Sequence, residues 1–456
     1  MYPRAQNKAD TKKFTSYNVN NYLNIPQFKK IQDEIIENIK IVGTVLPFKV
    51  NNYVMDELID WDNFKEDPIY NLTFPQKEML SERNYNLIKN AYDQSYSQEK
   101  IQDLSNEIRM TLNPHPAGQK EHNIPKYKGQ KLAGIQHKYM ETVLFFPSAG
   151  QTCHSYCTYC FRWPQFTGID TLKFAMNESD LLLKYLIEHQ EVTDLLLTGG
   201  DPMIMNLRVF KSYIDPILEN IEKTNIQTIR IGTKVLSYWP YKFTTDKDAD
   251  DFLNLFEKIV KKGINLALMA HFTYTRELET EVVKNAIIRL RSSGVQIRTQ
   301  SPILKHINDK PEIWADMWRK QVNLNLIPYY MFIARNTGAQ EYFAITLEQA
   351  YKTFKAAYQS VSGVCRTVRG PSMSSIAGKI QVLGVSEIKG EKVYVLRFIQ
   401  ARNPDWVDIP FYAKYDPNAI WMNTLKPAFS DKFFFEEEQN MIYHENYFDS
   451  EEDNYE

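Results

Sequence analysis

Asp194-Leu195-Leu196-Leu197-Thr198-Gly199-Gly200-Asp201 is a short apolar run that ends in two glycines and a carboxylate. Such a run, almost continuously apolar and closed by glycine, reads as a strand buried on both faces, the kind found in parallel sheets. Similar runs lie at 143–146, 228–232, 265–270, 295–299 and 326–332. Helical patterns fill the gaps, near 178–190, 206–223, 248–262, 276–293 and 311–322. Six strands joined by helices predict an α/β fold of parallel β/α units. Their order suits a barrel or open barrel more than a doubly wound sheet, and periodicity does not separate the two. In both, reactive groups gather at the C-terminal ends of the strands.

Outside this block the character changes. Residues 1–130 read as a mainly helical, polar layer, with an amphipathic helix over 28–39 and further helices over 82–96 and 97–112. Asn113-Pro114-His115-Pro116-Ala117-Gly118 then breaks the pattern: a plain turn, or a turn that aims His115 at a site. Residues 131–345 hold the β/α block. Residues 346–456 begin with a helix over 347–360, followed by a loop over 365–379 and a hairpin pairing 380–385 with 392–399. An acidic, aromatic-rich tail over 433–456 reads as a solvated end.

A chain of 456 residues exceeds the roughly 250–300 at which one core usually stops growing, so added layers or a second domain are expected. The net charge of -2 gives no reason to expect nucleic acid or a membrane surface as partner. No run of about 18 apolar residues occurs, and Met1-Tyr2-Pro3-Arg4-Ala5-Gln6-Asn7-Lys8 lacks the apolar core of a signal peptide. A cytoplasmic protein is expected, in which clustered thiols mean metal or catalysis.

Three of the four cysteines fall within eight residues, in Cys153-His154-Ser155-Tyr156-Cys157-Thr158-Tyr159-Cys160. Zinc sites more often show two close ligand pairs, and His154 stands too near Cys153 to complete a comfortable tetrahedron. An odd number of reduced thiols disfavours disulfides. Three thiolates can instead hold three irons of a 4Fe–4S cluster and leave the fourth iron open to a small molecule. Three residues between the first two cysteines and two between the last two is the spacing of radical S-adenosylmethionine enzymes, which the loop resembles.

Within that superfamily the chain resembles the lysine 2,3-aminomutase family over about 130–380. The matching stretches are Gly134-Ile135-Gln136-His137-Lys138-Tyr139, the cysteine loop with Arg162, Leu197-Thr198-Gly199-Gly200-Asp201, Ile229-Arg230-Ile231-Gly232-Thr233-Lys234, His271-Phe272, Gln300-Ser301-Pro302-Ile303-Leu304, Pro328-Tyr329-Tyr330 and Ser362-Gly363-Val364-Cys365. The resemblance implies a partial (β/α)6 radical S-adenosylmethionine barrel with an N-terminal helical layer and a C-terminal extension. It implies that Cys153, Cys157 and Cys160 hold the cluster. It assigns Thr198, Gly199, Gly200 and Asp201 to the methionine amine of S-adenosylmethionine, with close backbone approach at the glycines and Asp201 as acceptor. His271 and Gln300 are assigned to the same pocket. The implied chemistry is a 5′-deoxyadenosyl radical that starts a 1,2-amino migration.

The family also uses pyridoxal 5′-phosphate, held as a Schiff base to a lysine in a glycine-rich segment. Lys379, behind Gly378, is the counterpart, although Ser372-Met373-Ser374-Ser375-Ile376-Ala377-Gly378 replaces the run of glycines and sets the lysine farther from Pro371. Of the family's phosphate-binding trio, Tyr139 is kept, Lys138 stands where an arginine is usual and Thr142 replaces a second arginine. Lys138 keeps the charge without the bidentate fork.

The substrate positions depart furthest. Arg162 stands where the family grips an α-carboxylate. The two aspartates that hold the distal ammonium of lysine are replaced by Arg335 and Arg369. One such reversal turns attraction into a repulsion of about 4 kcal/mol at 4 Å and an effective dielectric of 20. Arginines suit a carboxylate, so an acidic amino acid, glutamate before aspartate, is expected as substrate. Structural ion pairs or a cofactor phosphate are the other uses open to these arginines. Two other functions stay open: a radical enzyme without pyridoxal phosphate that abstracts hydrogen from a peptide or other molecule, and a cluster protein for binding or redox sensing. The expected partners are an amino-acid substrate, an electron donor such as flavodoxin or ferredoxin, and a second copy of the chain in a homo-oligomer.

Overall fold

The computed structural model describes residues 12–120 and 122–441. Most of the acidic stretch expected over 433–456 lies outside them.

Before the large sheet come three longer helices, α1 (Asp33–Val45), α2 (Glu82–Asp93) and α3 (Gln98–Thr111), and a short helical turn over Pro68–Thr73. Ser81 and Ser97 cap α2 and α3 by accepting from the amides of Asn84 and Lys100, which fixes where these helices begin. The helix expected over 28–39 starts later and runs further. Asp33 and Glu34 occupy its first turn, where acids suit the helix dipole, and Ile39, Val42 and Val45 continue its buried face.

Eleven strands form one mixed sheet: β1 (Ile135–Tyr139), β2 (Thr142–Phe145), β3 (Asp194–Leu197), β4 (Thr228–Thr233), β5 (Asn265–His271), β6 (Gln296–Ile303), β7 (Ile327–Ile333), β8 (Arg369–Ser374), β9 (Gly378–Ile388), β10 (Glu391–Ala401) and β11 (Pro410–Lys414). Their spatial order follows the chain without a reversal. Strands β2 to β8 are parallel; β1 and β9 to β11 are antiparallel to their neighbours. Helices α4 (Ser179–Glu188), α5 (Leu207–Glu219), α6 (Ala249–Lys261), α7 (Glu281–Ser292), α8 (Pro311–Asn323) and α9 (Leu347–Gln359) lie in the crossovers.

Two features differ from expectation. The stretch read as a loop over 365–379 contains β8, a seventh parallel strand, and Lys379 lies on β9, paired with Ser374 across the turn. Gly370, Pro371 and the serines hide this strand from any apolar pattern; its hydrogen bonds come from neighbours β7 and β9. The strands are also not equally buried on both faces. Leu195, Leu197, Ile229 and Ile231 are fully buried, while Asp194, Leu196, Arg230, Arg298, Gln300 and Tyr329 face a half-open side. On that side Lys138 of β1 donates to the carbonyl of Ser375, just past β8, so the sheet curls until distant strands meet. Among the described residues no helix is long and apolar enough to cross a membrane.

Candidate active site

The cysteine loop follows β2, at the C-terminal end of the parallel strands. Cys153, Cys157 and Cys160 are part-buried free thiols, whereas Cys365 is buried elsewhere. The loop has little secondary structure of its own, and its backbone is held from behind by the N-terminal layer. Tyr156 N donates to Lys49 O at 2.8 Å and Thr158 N to Leu72 O at 3.0 Å. Lys49 Nζ donates to Cys153 O at 2.7 Å. Asn51, fully buried, donates from Nδ2 to Tyr238 O at 2.7 Å and to His154 O at 3.3 Å, and its amide donates to Ser155 Oγ at 3.0 Å. The layer that carried no motif is therefore the cradle of the loop.

Burial raises all three thiols. Cys160 is pushed up to about 12 by burial and by Cys157, and Cys153 is raised by burial, Asp201, Cys160 and Cys157. Three thiols that oppose one another's ionisation in a buried loop fit a cationic metal centre, which removes the repulsion. Tyr238 Oη lies 3.1 Å from Cys157 Sγ.

The glycine pair after β3 makes its close approach to protein. A Cβ on Gly200 would lie 2.5 Å from Thr152 O, and Gly199 has φ +145°, with Gln151 Nε2 2.3 Å from a Cβ there. Without a side chain at either position, the strand end packs directly on the residues before Cys153. Asp201 turns into the fold. Its carboxylate accepts from Thr233 Oγ1 at 2.6 Å, Lys234 N at 2.9 Å and Met203 N at 2.9 Å, and its amide donates to Thr152 O at 2.8 Å. Burial nevertheless pushes it up to about 6. The acceptor expected to face a ligand thus joins β3, β4 and the cysteine loop.

His271 and Gln300 are register partners on β5 and β6. His271 Nε2 is 2.9 Å from Tyr159 Oη, inside the cysteine loop, and burial with the Lys234 ammonium nearby holds the imidazole neutral. Lys234 Nζ is itself bonded to Glu277 at 2.5 Å in a buried ion pair.

On the half-open side a second group of residues is cationic. Lys379 Nζ is 4.3 Å from the Tyr330 ring and donates to Gln400 Oε1 at 3.1 Å. Burial and the nearby Arg230 lower it to about 8. Lys138, beside Arg402, Arg335 and Lys379, is lowered by burial and by all three, and Tyr139 adjoins Arg335. An amine of depressed pKa with further cations around it fits an aldehyde cofactor carrying a phosphate. Thr142, at the substituted arginine position, instead donates to Asp194 at 2.9 Å, and Asp194 also pairs with Arg230.

Arg162 and Arg335 share one aromatic side chain. Their guanidinium carbons lie 5.0 and 5.6 Å from the Phe161 ring, and Arg162 also lies 4.3 Å from Phe146. Arg162 Nη1 and Arg335 Nε are buried without a hydrogen-bond partner. Burial and Arg335 bring Arg162 down to about 9, and burial brings Arg335 down to about 10. His115 lines a small cavity with Phe161 and Arg162. Arg369 is exposed, its guanidinium carbon 4.9 Å from Tyr329 with a donor 3.5 Å from Tyr330 Oη, so it accompanies Lys379 at the tyrosine pair. Lys49, Asn51, Tyr159 and Tyr238 belong to no motif that marks them for the site; only Tyr159, inside the cysteine spacing, lies where a sequence signal is available.

No protein-family model matches the chain. Among curated proteins it is 30% identical over 397 residues to "Putative L-lysine 2,3-aminomutase" of Aquifex aeolicus, spanning 87% of this chain and 92% of that protein. It is 24% identical over 313 residues to L-lysine 2,3-aminomutase of Methanococcus maripaludis, spanning 68% of this chain and 60% of that protein. The counterpart in Bacillus subtilis is 30% identical over 201 residues, 44% of this chain and 39% of that protein. A three-cysteine loop at the strand ends of a largely parallel α/β sheet, with these relatives, is of the radical S-adenosylmethionine class. The chain belongs to the lysine 2,3-aminomutase family, as a divergent member.

Proposed function

We propose that the protein is a radical S-adenosylmethionine aminomutase that moves an amino group between adjacent carbons of an acidic amino acid, glutamate before aspartate. The observation that carries the substrate assignment is the pair Arg162 and Arg335, gathered around Phe161 with one buried nitrogen unpartnered on each. A substrate with two carboxylates satisfies both, the α-carboxylate at Arg162 and the distal one at Arg335, because each guanidinium offers a planar fork of donors. The ammonium of lysine meets repulsion at the same place.

In this reading Cys153, Cys157 and Cys160 hold a 4Fe–4S cluster. The backbone of Thr198, Gly199 and Gly200, shaped by Asp201, together with His271 and Gln300, borders the S-adenosylmethionine pocket. Lys379 is the attachment point of pyridoxal phosphate, with Lys138 and Tyr139 toward its phosphate and Arg369 at the opening. Bound together, these groups would supply a carbon-centred radical for hydrogen abstraction and a conjugated aldehyde able to carry the migrating amino group. The protein's own part is to keep Lys379 partly deprotonated near neutral pH, to orient the substrate carboxylates with Arg162 and Arg335, and to keep water from them with Phe146 and Phe161. The curled, chain-ordered sheet supports a partial (β/α)6 barrel, and we assign the protein to the cytoplasm with a flavodoxin or ferredoxin as reductant.

The test is to incubate the anaerobically reconstituted, reduced protein with S-adenosylmethionine and each common amino acid, and to look for a β-amino acid and 5′-deoxyadenosine. Turnover of glutamate supports the reading; turnover of lysine but not glutamate overturns it. A radical enzyme without pyridoxal phosphate is favoured by one observation, that Lys138 and Lys379 already bond to Ser375 O and Gln400 Oε1. Absence of a visible absorption band from added pyridoxal phosphate, or a band that survives Lys379→Ala, would select that second reading.

A further inference from the structure

At the opposite end of the parallel strands from the cysteines, a second group of metal-ligating side chains converges. His137 comes from β1, His189 follows the last turn of α4, and Glu191 lies in the short link to β3. One ligand atom from each lies within 4.8 Å of the others. Two imidazoles and a carboxylate are the donor set that zinc and similar borderline divalent ions take, with a fourth position left for water.

We propose that His137, His189 and Glu191 bind one divalent cation of the zinc class, which clamps edge strand β1 to the end of α4.

The surroundings are built for this. Tyr185, 2% exposed, places its hydroxyl 2.6 Å from His137 Nδ1, and its ring lies 4.0 Å from that of His189. One buried tyrosine therefore orients both imidazoles, as outer-shell partners do at metal sites. His137 Nε2 is 3.1 Å from the carbonyl of Met140, so whichever nitrogen faces the ion, the other keeps a partner. His189 Nδ1 and Glu191 Oε1, 2.7 Å apart, then face the ion instead of each other, and each offers a lone pair once the shared proton has moved to the far ring nitrogen. Side-chain exposures of 35% for His189 and 41% for Glu191 leave an entry path for the ion.

The clamp has a consequence for the interior. Successive residues of a strand face opposite sides. His137 faces Tyr185 and α4, while Lys138 reaches Ser375, so fixing the first sets the second.

The test uses cluster-loaded wild-type protein and a His189→Ala/Glu191→Gln variant, each equilibrated with zinc sulfate, desalted anaerobically and assayed for zinc and iron by mass spectrometry. The wild type should retain one more zinc per chain than the variant at equal iron content. Zinc should also raise the wild-type melting temperature by several degrees, reversibly with chelator, and leave that of the variant unmoved. Circular dichroism of both in zinc-free buffer confirms that the variant is folded; if it is not, Glu191→Gln alone replaces it. Equal zinc content in wild type and variant, or an equal melting shift in both, overturns the site.

Discussion

Tyr238 Oη lies 3.1 Å from Cys157 Sγ, and the tyrosine is only 1% exposed. If Cys157 holds the proposed cluster, a hydroxyl fixed beside its sulfur donates to it more strongly in the reduced, more negative state, and so raises the reduction potential. If that difference is about 1 kcal/mol, the corresponding shift for one electron is about 40 mV. Tyr238→Phe should therefore make the loaded cluster harder to reduce by that order, with unchanged iron content. Electron paramagnetic resonance during a potential titration checks it; an unmoved midpoint removes the tyrosine from the cluster's surroundings.

Asn51 joins the N-terminal layer to the cysteine loop. Asn51→Ala leaves Tyr238 O without its donor and the amide of Val54, 3.0 Å from Asn51 Oδ1, without its acceptor. Stranding buried groups of this kind costs about 2–4 kcal/mol in total. The expected outcome is a lower urea midpoint and a lower iron content after reconstitution under fixed conditions. A stability loss with full iron content would mean that the layer supports the fold but not the loop.

Lys379 gives a pH signature. Its native pKa is about 8, below the ordinary 10.5. Between these values the unfolded chain binds more protons at this site than the native one, so stability contributed here rises as pH goes from about 8 to 10.5. Lys379→Met should be the more stable protein below pH 8 and lose this rise. Denaturant midpoints of the two proteins across pH 7 to 10.5 should converge as pH increases.

Arg335→Met removes one of the two guanidinium groups around Phe161. A hydrogen bond to a charged group contributes about 1.5–3 kcal/mol, so kcat/KM for glutamate should fall about 10- to 100-fold. Iron content should not change. A variant that handles glutamate as well as the wild type would place the substrate carboxylate elsewhere.

The six apolar runs fall on strands β2 to β7 and pass their ends by no more than a residue, because burial by crossover helices leaves a local mark on each run. β8 left none: Arg369-Gly370-Pro371-Ser372-Met373-Ser374 has no apolar run and owes its conformation to pairing with β7 and β9. The cysteines, Arg162 and Lys379 stood out through fixed spacing from neighbouring residues. Asn51, Lys49 and Tyr238 did not, since they are 104, 104 and 81 residues from the loop positions they bond.

The three-thiol loop, the alternation of strands and helices, and the family are legible in the chain, because each is a matter of residue type at short, fixed separations. Tertiary structure alone decided which charges meet. Asp201, named for a ligand, is turned inward by Thr233 at the end of the next strand and by Lys234 just past it. Arg335 joins Arg162 around Phe161, while Arg369 goes to Tyr329 and Tyr330 with Lys379. Curling of the sheet sets these meetings, and it brings together residues that no spacing along the chain relates.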